Sequence, residues 1–332
     1  MTKIMNSPER YVDDMLDGLL AFAPSLRRDE TAPRVVFADP QGGARRVGIA
    51  TGGGSGHLPL FVGYVGQGLV DSCAIGNVFE GPSLLACERA IRCADRGAGV
   101  LCLLGNYGGD RMNFALACDE MPEGIPTRTV LGTDDIASAA PDETDRRRGV
   151  AGLIVLYKVA GHAAASGAPL DEVAGFAAHA NARTRTIGAT FGPCQLPGSE
   201  RPNFDMRSDE VEMGMGIHGE PGLWRRGLPG AHALAADMID RLLADPVQQR
   251  GDEVVLLINS LGATPLEELL ILYCEVLRCM TEQGIRVHKV MLGPYVTSLE
   301  MPGVSLSLTW LDAELKAALS SPATPVFTQA FA

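Results

Sequence analysis

Apolar residues recur at helical spacing from the start of the chain. After Ser7, Pro8 and Glu9, a helix-opening combination, Val12, Met15, Leu16, Leu19 and Leu20 line one face. Short β-like runs follow at Arg34–Ala38, Arg46–Ala50, Cys73–Gly76 and Gly99–Leu104, alternating with helical stretches at Ser83–Arg96 and Asn113–Met121. Such alternation predicts an α/β layer built on a largely parallel sheet. Two Ala-rich helices are expected at Val150–Ala165 and Leu170–Ala182. A second block then reads strand (RTIGATF, then EVEMGMGI), helix (Ala231–Leu243), strand (DEVVLLIN), helix (Pro265–Glu282) and two strands, Arg286–Leu292 and Val304–Trp310. The fold class expected is therefore α/β with two domains. Residues 1–183 form an N-terminal α/β sandwich with a largely parallel sheet, and 184–332 a C-terminal α+β domain. Ahead of the Ala-rich helices, Thr133–Arg148 is acidic and then carries Arg146, Arg147 and Arg148; it reads as a solvated loop.

Composition narrows the partners. The 332 residues are 46% hydrophobic, enough for a substantial core, and carry a formal net charge of -12. That field repels nucleic acid and anionic membrane surfaces, whose phosphates need clustered Lys and Arg. No apolar run has signal-peptide or membrane-spanning length. The eight cysteines sit mostly in apolar runs with no C-x-x-C pair, as expected of reduced core residues in a cytoplasmic protein.

Three segments carry candidate chemistry. The first, ATGGGSGHLP, follows the strand ending at Ala50. Its glycines Gly52, Gly53, Gly54 and Gly56 permit left-handed backbone angles and main-chain N–H groups closing around a ligand, with Ser55 and His57 projecting into it. It lacks the Lys-Ser/Thr of a P-loop, and His57 stands where a G-x-S-x-G elbow needs its last glycine. The second, GNYGGDRMNF, follows the apolar strand 100–104, where ligands of α/β sheets tend to bind, and places Asp110 after a tight Gly108-Gly109 turn. The third, EMGMGIHGEPG, contains a literal G-x-G-x-x-G (Gly214, Gly216, Gly219), but Glu220-Pro221-Gly222 follows instead of a helix, so it is no dinucleotide fingerprint. What it leaves is His218 between a strand and a Pro-Gly turn. His162, His179, His232 and His288 show no metal-ligand spacing, no metal site is expected, and Cys194 reads as structural.

Taken in order, TGGGSGHLPLFVGYVGQGLV, GVLCLLGNYGGDRMNF, and TRTIGATFGPCQLPGSERPNF through EMGMGIHGEPG resemble the K (sugar-binding) subunit of the dihydroxyacetone kinase family, from about residue 10 to the C-terminus. The resemblance implies a ketose kinase subunit, a phosphotransferase acting on an alcohol group. His218 matches the histidine that holds the ketone as a covalent hemiaminal. His57 and Asp110 match the residues that assist transfer at the substrate hydroxyl. Gly53, Gly54, Ser55, Gly56 and Gly105 are the expected substrate-binding positions. In the family, the nucleotide (ATP, or an ADP recharged by a phosphotransferase system) and its magnesium belong to a separate L-type subunit. With this chain ending at Ala332, that subunit is the expected partner, and no cofactor is expected in the chain itself. A homodimer is also expected. The alternative within the family is a non-catalytic ketose-sensing paralogue that acts as a transcriptional coactivator.

Departures from the family pattern bear on the substrate. Leu58 replaces a Glu, Gly105 replaces a substrate-contacting Lys, and Glu80-Gly81-Pro82 replaces an Ala/Thr-Ser-Pro stretch. A roomier, more apolar pocket is expected, suited to dihydroxyacetone or a slightly larger ketose such as erythrulose.

Overall fold

The computed structural model describes residues 3–39, 45–121, 124–248 and 250–327. The chain divides into two compact units, one drawn from residues 1–131, 154–179 and 317–332, the other from 132–153 and 180–316. Relative to a single cut after residue 183, the segments 132–153, 180–183 and 317–332 change sides. Asp134 shows why for the first of them. Its buried carboxylate accepts the N–H groups of Val150 and Gly152 at 2.9 and 2.7 Å, and its carbonyl accepts Thr186 N–H, tying this stretch to the second unit.

The first unit opens with α1 (Tyr11–Phe22), whose Val12, Leu16 and Leu19 are buried as their spacing requires. It continues through β1 (Leu26–Arg28), β2 (Val35–Ala38), β3 (Arg46–Ser55), β4 (Ser72–Val78), α2 (Leu84–Ala94), β5 (Gly97–Gly105), α3 (Gly108–Asp119) and β6 (Thr127–Gly132). Helices α4 (Leu153–Ala165) and α5 (Leu170–Ala182) follow. The strands form one sheet in the order β1-β2-β4-β3-β5-β6. Its centre, β4-β3-β5, is parallel, and β1 and β2 add antiparallel at one edge. Central β3 is buried on both faces, as parallel strands under helices are. Adjacent side-chain positions on β3 face opposite layers: Thr51 Oγ1 lies 2.8 Å from Tyr157 Oη of α4, whereas a Cβ on Gly52 would meet the Phe114 ring of α3.

The second unit holds β7 (Thr184–Thr190), β8 (Glu210–Met213), β9 (Trp224–Gly227), α6 (Ala231–Ala244), β10 (Glu253–Ser260), α7 (Leu266–Glu282), β11 (Arg286–Gly293) and β12 (Gly303–Trp310); the short helix α8 (Ala313–Ser320) ends the series. Its sheet runs β11-β10-β12-β7-β8-β9, antiparallel except for β10 with β11. Alternation along β12 sorts its two faces. Val304, Leu306, Leu308 and Trp310 join the core under α6 and α7, while Ser307 and Thr309 on the other face bond to Thr186 and Thr184 of β7.

Two local expectations are corrected. The glycine run is not a loop after a strand that ends at Ala50: β3 continues to Ser55, with Gly52 and Gly53 paired to Ala74 and Ile75. Of its glycines only Gly56 has a left-handed angle, φ +99°. The others serve close approach instead, since a Cβ on Gly53 would stand 2.2 Å from the Phe61 ring and one on Gly54 2.9 Å from Glu80 N. Nor is Thr133–Arg148 a solvated loop. Arg147 is fully buried and pairs with Asp245 at 2.6 Å, and Arg148 pairs with Asp135 at 2.9 Å. Burial alone would raise the Asp245 carboxyl, but hydrogen bonds from Arg147 and Arg185 bring it below its ordinary value.

Candidate functional site

In the first unit, His57 sits just past the end of β3 and is 1% exposed. Its ring stacks on Phe79 with centroids 5.0 Å apart and planes 16° from parallel, and Phe61 meets it edge-on at 6.3 Å. Among the described residues, three non-glycine residues have positive φ, and two of them are these phenylalanines (φ 67° for Phe61, 61° for Phe79). Left-handed backbone at a bulky residue costs energy and persists only where surrounding structure imposes it, a pattern concentrated at functional sites. The imposing contacts are visible. Phe79 N–H donates to Ser55 O at 3.0 Å, and Ser55 Oγ–H donates to Gly76 O at 2.9 Å. Gly53, Gly54, Ser55, Gly56, His57 and Leu58 together line one small hollow.

Asp110 lies in the first turn of α3, not beyond a separate Gly-Gly turn, because Gly108 and Gly109 are themselves helical. The helix N-terminus favours a carboxylate there. Asp110 is 5% exposed, and a Cβ on Gly81 would stand 2.6 Å from its Oδ1. Asn113 Nδ2–H donates to Pro82 O at 2.8 Å, drawing the start of α2 alongside the start of α3. Residues 79–81 thus link two of the expected site residues: Phe79 stacks on His57, Glu80 abuts Gly54, and Gly81 abuts Asp110. Gly105 is the buried last residue of β5, three positions before α3 begins.

His218 belongs to the second unit and follows β8. Its loop is closed by Gly216 N–H donating to Glu220 O and Gly219 N–H to Gly216 O, both at 3.0 Å, and Ser298 Oγ–H donates to Ile217 O. Glu220 holds His218 twice: the backbone N–H donates to Oε2 at 3.0 Å and ring Nδ1 lies 3.2 Å from Oε1. Arg148 approaches the same Oε2 at 3.7 Å. Burial works to raise the Glu220 carboxyl, but the His218 hydrogen bond and the charges of His218 and Arg148 outweigh it and bring it down to about 2. Asp135, on the far side of Arg148, goes the other way. Its burial outweighs the attraction of Arg148 and pushes it up to about 6.

Sequence patterns did not mark Phe61, Phe79, Arg148 or Glu220 as site residues. Only Glu220 left a signal, two residues after His218 in the same turn. Among the described residues no three His, Cys, Asp or Glu are grouped to hold a metal ion, and no helix is long and apolar enough to cross a membrane.

The profile of the Dak1 domain matches residues 17–327. The chain belongs to the Dak1 family. Within it, the chain is 40% identical to the D-erythrulose kinase of Mycolicibacterium smegmatis, over 98% of this chain and 56% of that protein. It therefore spans only about half the length of that relative. It is 38% identical to the dihydroxyacetone-binding subunit of a PTS-dependent dihydroxyacetone kinase of Listeria innocua, with 95% of both chains covered. Two solved structures of Dak1 relatives share the fold. The dihydroxyacetone kinase of C. freundii matches with TM-score 0.89 and 31% identity, over 98% of this chain and 60% of that one. A dihydroxyacetone kinase operon co-activator matches with TM-score 0.86 and 32% identity, over 93% and 96%. The K-subunit resemblance and the mixed α/β fold expected from sequence are both borne out.

Proposed function

We propose that this Dak1 chain is the ketose-binding subunit of a two-component kinase for a short-chain ketose. The observation that carries the reading is the co-occurrence of His57, Asp110 and a carboxylate-braced His218 in a chain that matches a dihydroxyacetone-binding subunit over 95% of its length. His218 adds through a ring nitrogen to the ketone carbon, which selects carbonyl-bearing sugars over polyols such as glycerol. Asp110 accepts the proton of the terminal hydroxyl as that oxygen attacks phosphorus, and His57, caged by Phe61 and Phe79, orients or shares it. The phosphoryl donor, ATP or ADP with magnesium, resides on a separate L-type subunit, and the working protein is a cytoplasmic homodimer that docks it. Leu58 and Gly105 in place of charged residues favour a four-carbon ketose, in keeping with the erythrulose named for one relative.

Crystals soaked with dihydroxyacetone and with erythrulose test the covalent step: continuous density from the His218 ring to the sugar C2 is expected, and a ligand bound without that bond overturns it. A second reading, a ketose-sensing coactivator, is favoured by the likeness to the operon co-activator. Phosphoryl transfer to a ketose in the presence of a cognate nucleotide-carrying subunit decides between the two, since a pure sensor gives none.

A further inference from the structure

His218 is held by an ionised carboxylate that meets an arginine on the same oxygen. Both Glu220 oxygens are acceptors, one for the His218 backbone N–H at 3.0 Å and one for ring Nδ1 at 3.2 Å. The ring nitrogen facing a carboxylate must therefore carry a proton. A bare carboxylate in that place also favours a second proton on the ring, and that proton would occupy the lone pair that addition to a ketone requires. Arg148 limits this effect. It stands 3.7 Å from Glu220 Oε2 and is itself fixed by Asp135 Oδ2 at 2.9 Å and Gly214 O at 3.2 Å. The approach depends on Gly216, where a Cβ would stand 2.1 Å from Glu220 Oε2 and 2.3 Å from Arg148 Nη1.

We propose that Glu220, its charge shared with Arg148, holds His218 as the neutral Nδ1–H tautomer, so that Nε2 presents its lone pair to the ketone; both are positioning residues. The inference rests on the covalent role assigned to His218 above. As Nε2 forms its bond to the carbonyl carbon, the C=O π bond breaks and the oxygen takes a proton from solvent. The ring keeps its Nδ1 proton and its positive charge opposite ionised Glu220, so the adduct takes up one proton from solvent as it forms and returns it on dissociation. Among the described residues, the charged groups near this ring include Glu220 on its own loop and Arg148 with Asp135 from the stretch before α4. Glu212 of β8 accepts Gly222 N–H at 2.7 Å, but its charge is matched by Arg225 at 2.6 Å.

The test uses the full chain with ¹⁵N-labelled histidine. In the ligand-free protein at neutral pH, His218 should show a protonated Nδ1 and an unprotonated Nε2; the opposite tautomer or a doubly protonated ring overturns the proposal. The pH profile of adduct formation with erythrulose then separates positioning from mere structure. Arg148→Met leaves the full charge of Glu220 on the ring, so the acid limb should move to higher pH. Glu220→Gln removes that charge, so the limb should move down while adduct affinity falls about tenfold, from one lost charge-assisted hydrogen bond. Shifts in the same direction, or none, overturn the assignment. If the unaltered protein forms no adduct with any short ketose, the covalent role fails instead, and the tautomer measurement still decides this proposal without any variant.

Discussion

The two histidines proposed to act on the ketose are held in opposite ways. His57 is enclosed by aromatic rings on strained backbone, at the end of a strand whose glycines let neighbouring chain close over it. His218 is more open and is set by charge: a carboxylate on its own loop, an arginine on that carboxylate, and a second carboxylate behind the arginine. Packing fixes where a ring lies but not its protons, which suits a residue that orients or passes a proton. A carboxylate fixes the protons as well, which suits a residue whose lone pair must be free.

The contrast is sharpest at Asp110, on the packed side. Asp110→Asn should cut phosphoryl transfer about 10²–10⁴-fold while leaving ketose adduct formation at His218 intact, because a base is lost but not the binding group. Transfer rates with the cognate nucleotide-carrying subunit, set beside crystallographic occupancy of the adduct, check this. Wild-type-like transfer removes Asp110 from the mechanism.

On the charged side, Asp245→Asn strands Arg147 and Arg185 in the interior of the second unit. A loss of about 3–5 kcal/mol in denaturant unfolding is expected, the cost of breaking a buried pair from one side. A loss under about 1 kcal/mol would mean that water reaches these arginines.

Phe79→Gly tests whether packing alone holds His57. Glycine relieves left-handed backbone by about 1–2 kcal/mol, which offsets much of the lost ring burial. Stability should change little, yet transfer should fall about ten- to a hundredfold as His57 loses its stacking partner. Unfolding curves and kcat on one preparation separate these effects, and unchanged kcat shows the ring to be dispensable.

The smallest effect belongs to Glu220. Its carboxyl lies near 2 in the folded protein against an ordinary 4.5, so the depressed value contributes stability above about pH 4.5 that is lost as pH falls toward 2. The side chain is 32% exposed, which discounts the contribution to about 1–2 kcal/mol. Glu220→Gln should flatten unfolding stability across that window, whereas an unchanged slope would mean that other carboxylates dominate acid unfolding.

Much of this was legible in the chain. Leu170–Ala182 is a helix with the bounds its pattern predicted, and α6, α7, β11 and β12 differ by at most a residue or so at their ends. Long periodic segments bury a face large enough to decide their own structure. Three short strands, β1, β6 and β9, were not legible, because three to six residues carry too little pattern to separate strand from turn. The glycine run misled for a related reason. Glycine fits a left-handed turn and a strand under close cover equally well, and only the Phe61 ring and the Glu80 backbone distinguish the two.

The sequence by itself determined an α/β layer followed by an α+β one, the three segments bearing His57, Asp110 and His218, and through their order the family. Tertiary structure decided what surrounds those residues. Phe79 comes to His57 from beyond β4, Gly81 reaches Asp110 across some thirty residues of chain, and Arg148 reaches Glu220 across some seventy. No periodicity encodes such contacts, because they are made between elements whose spacing along the chain is set by the fold and not by any local repeat. Charge behaves likewise. In sequence Arg147 and Arg148 look like any solvated basic run, and burial against Asp245 and Asp135 makes them structural and positioning groups.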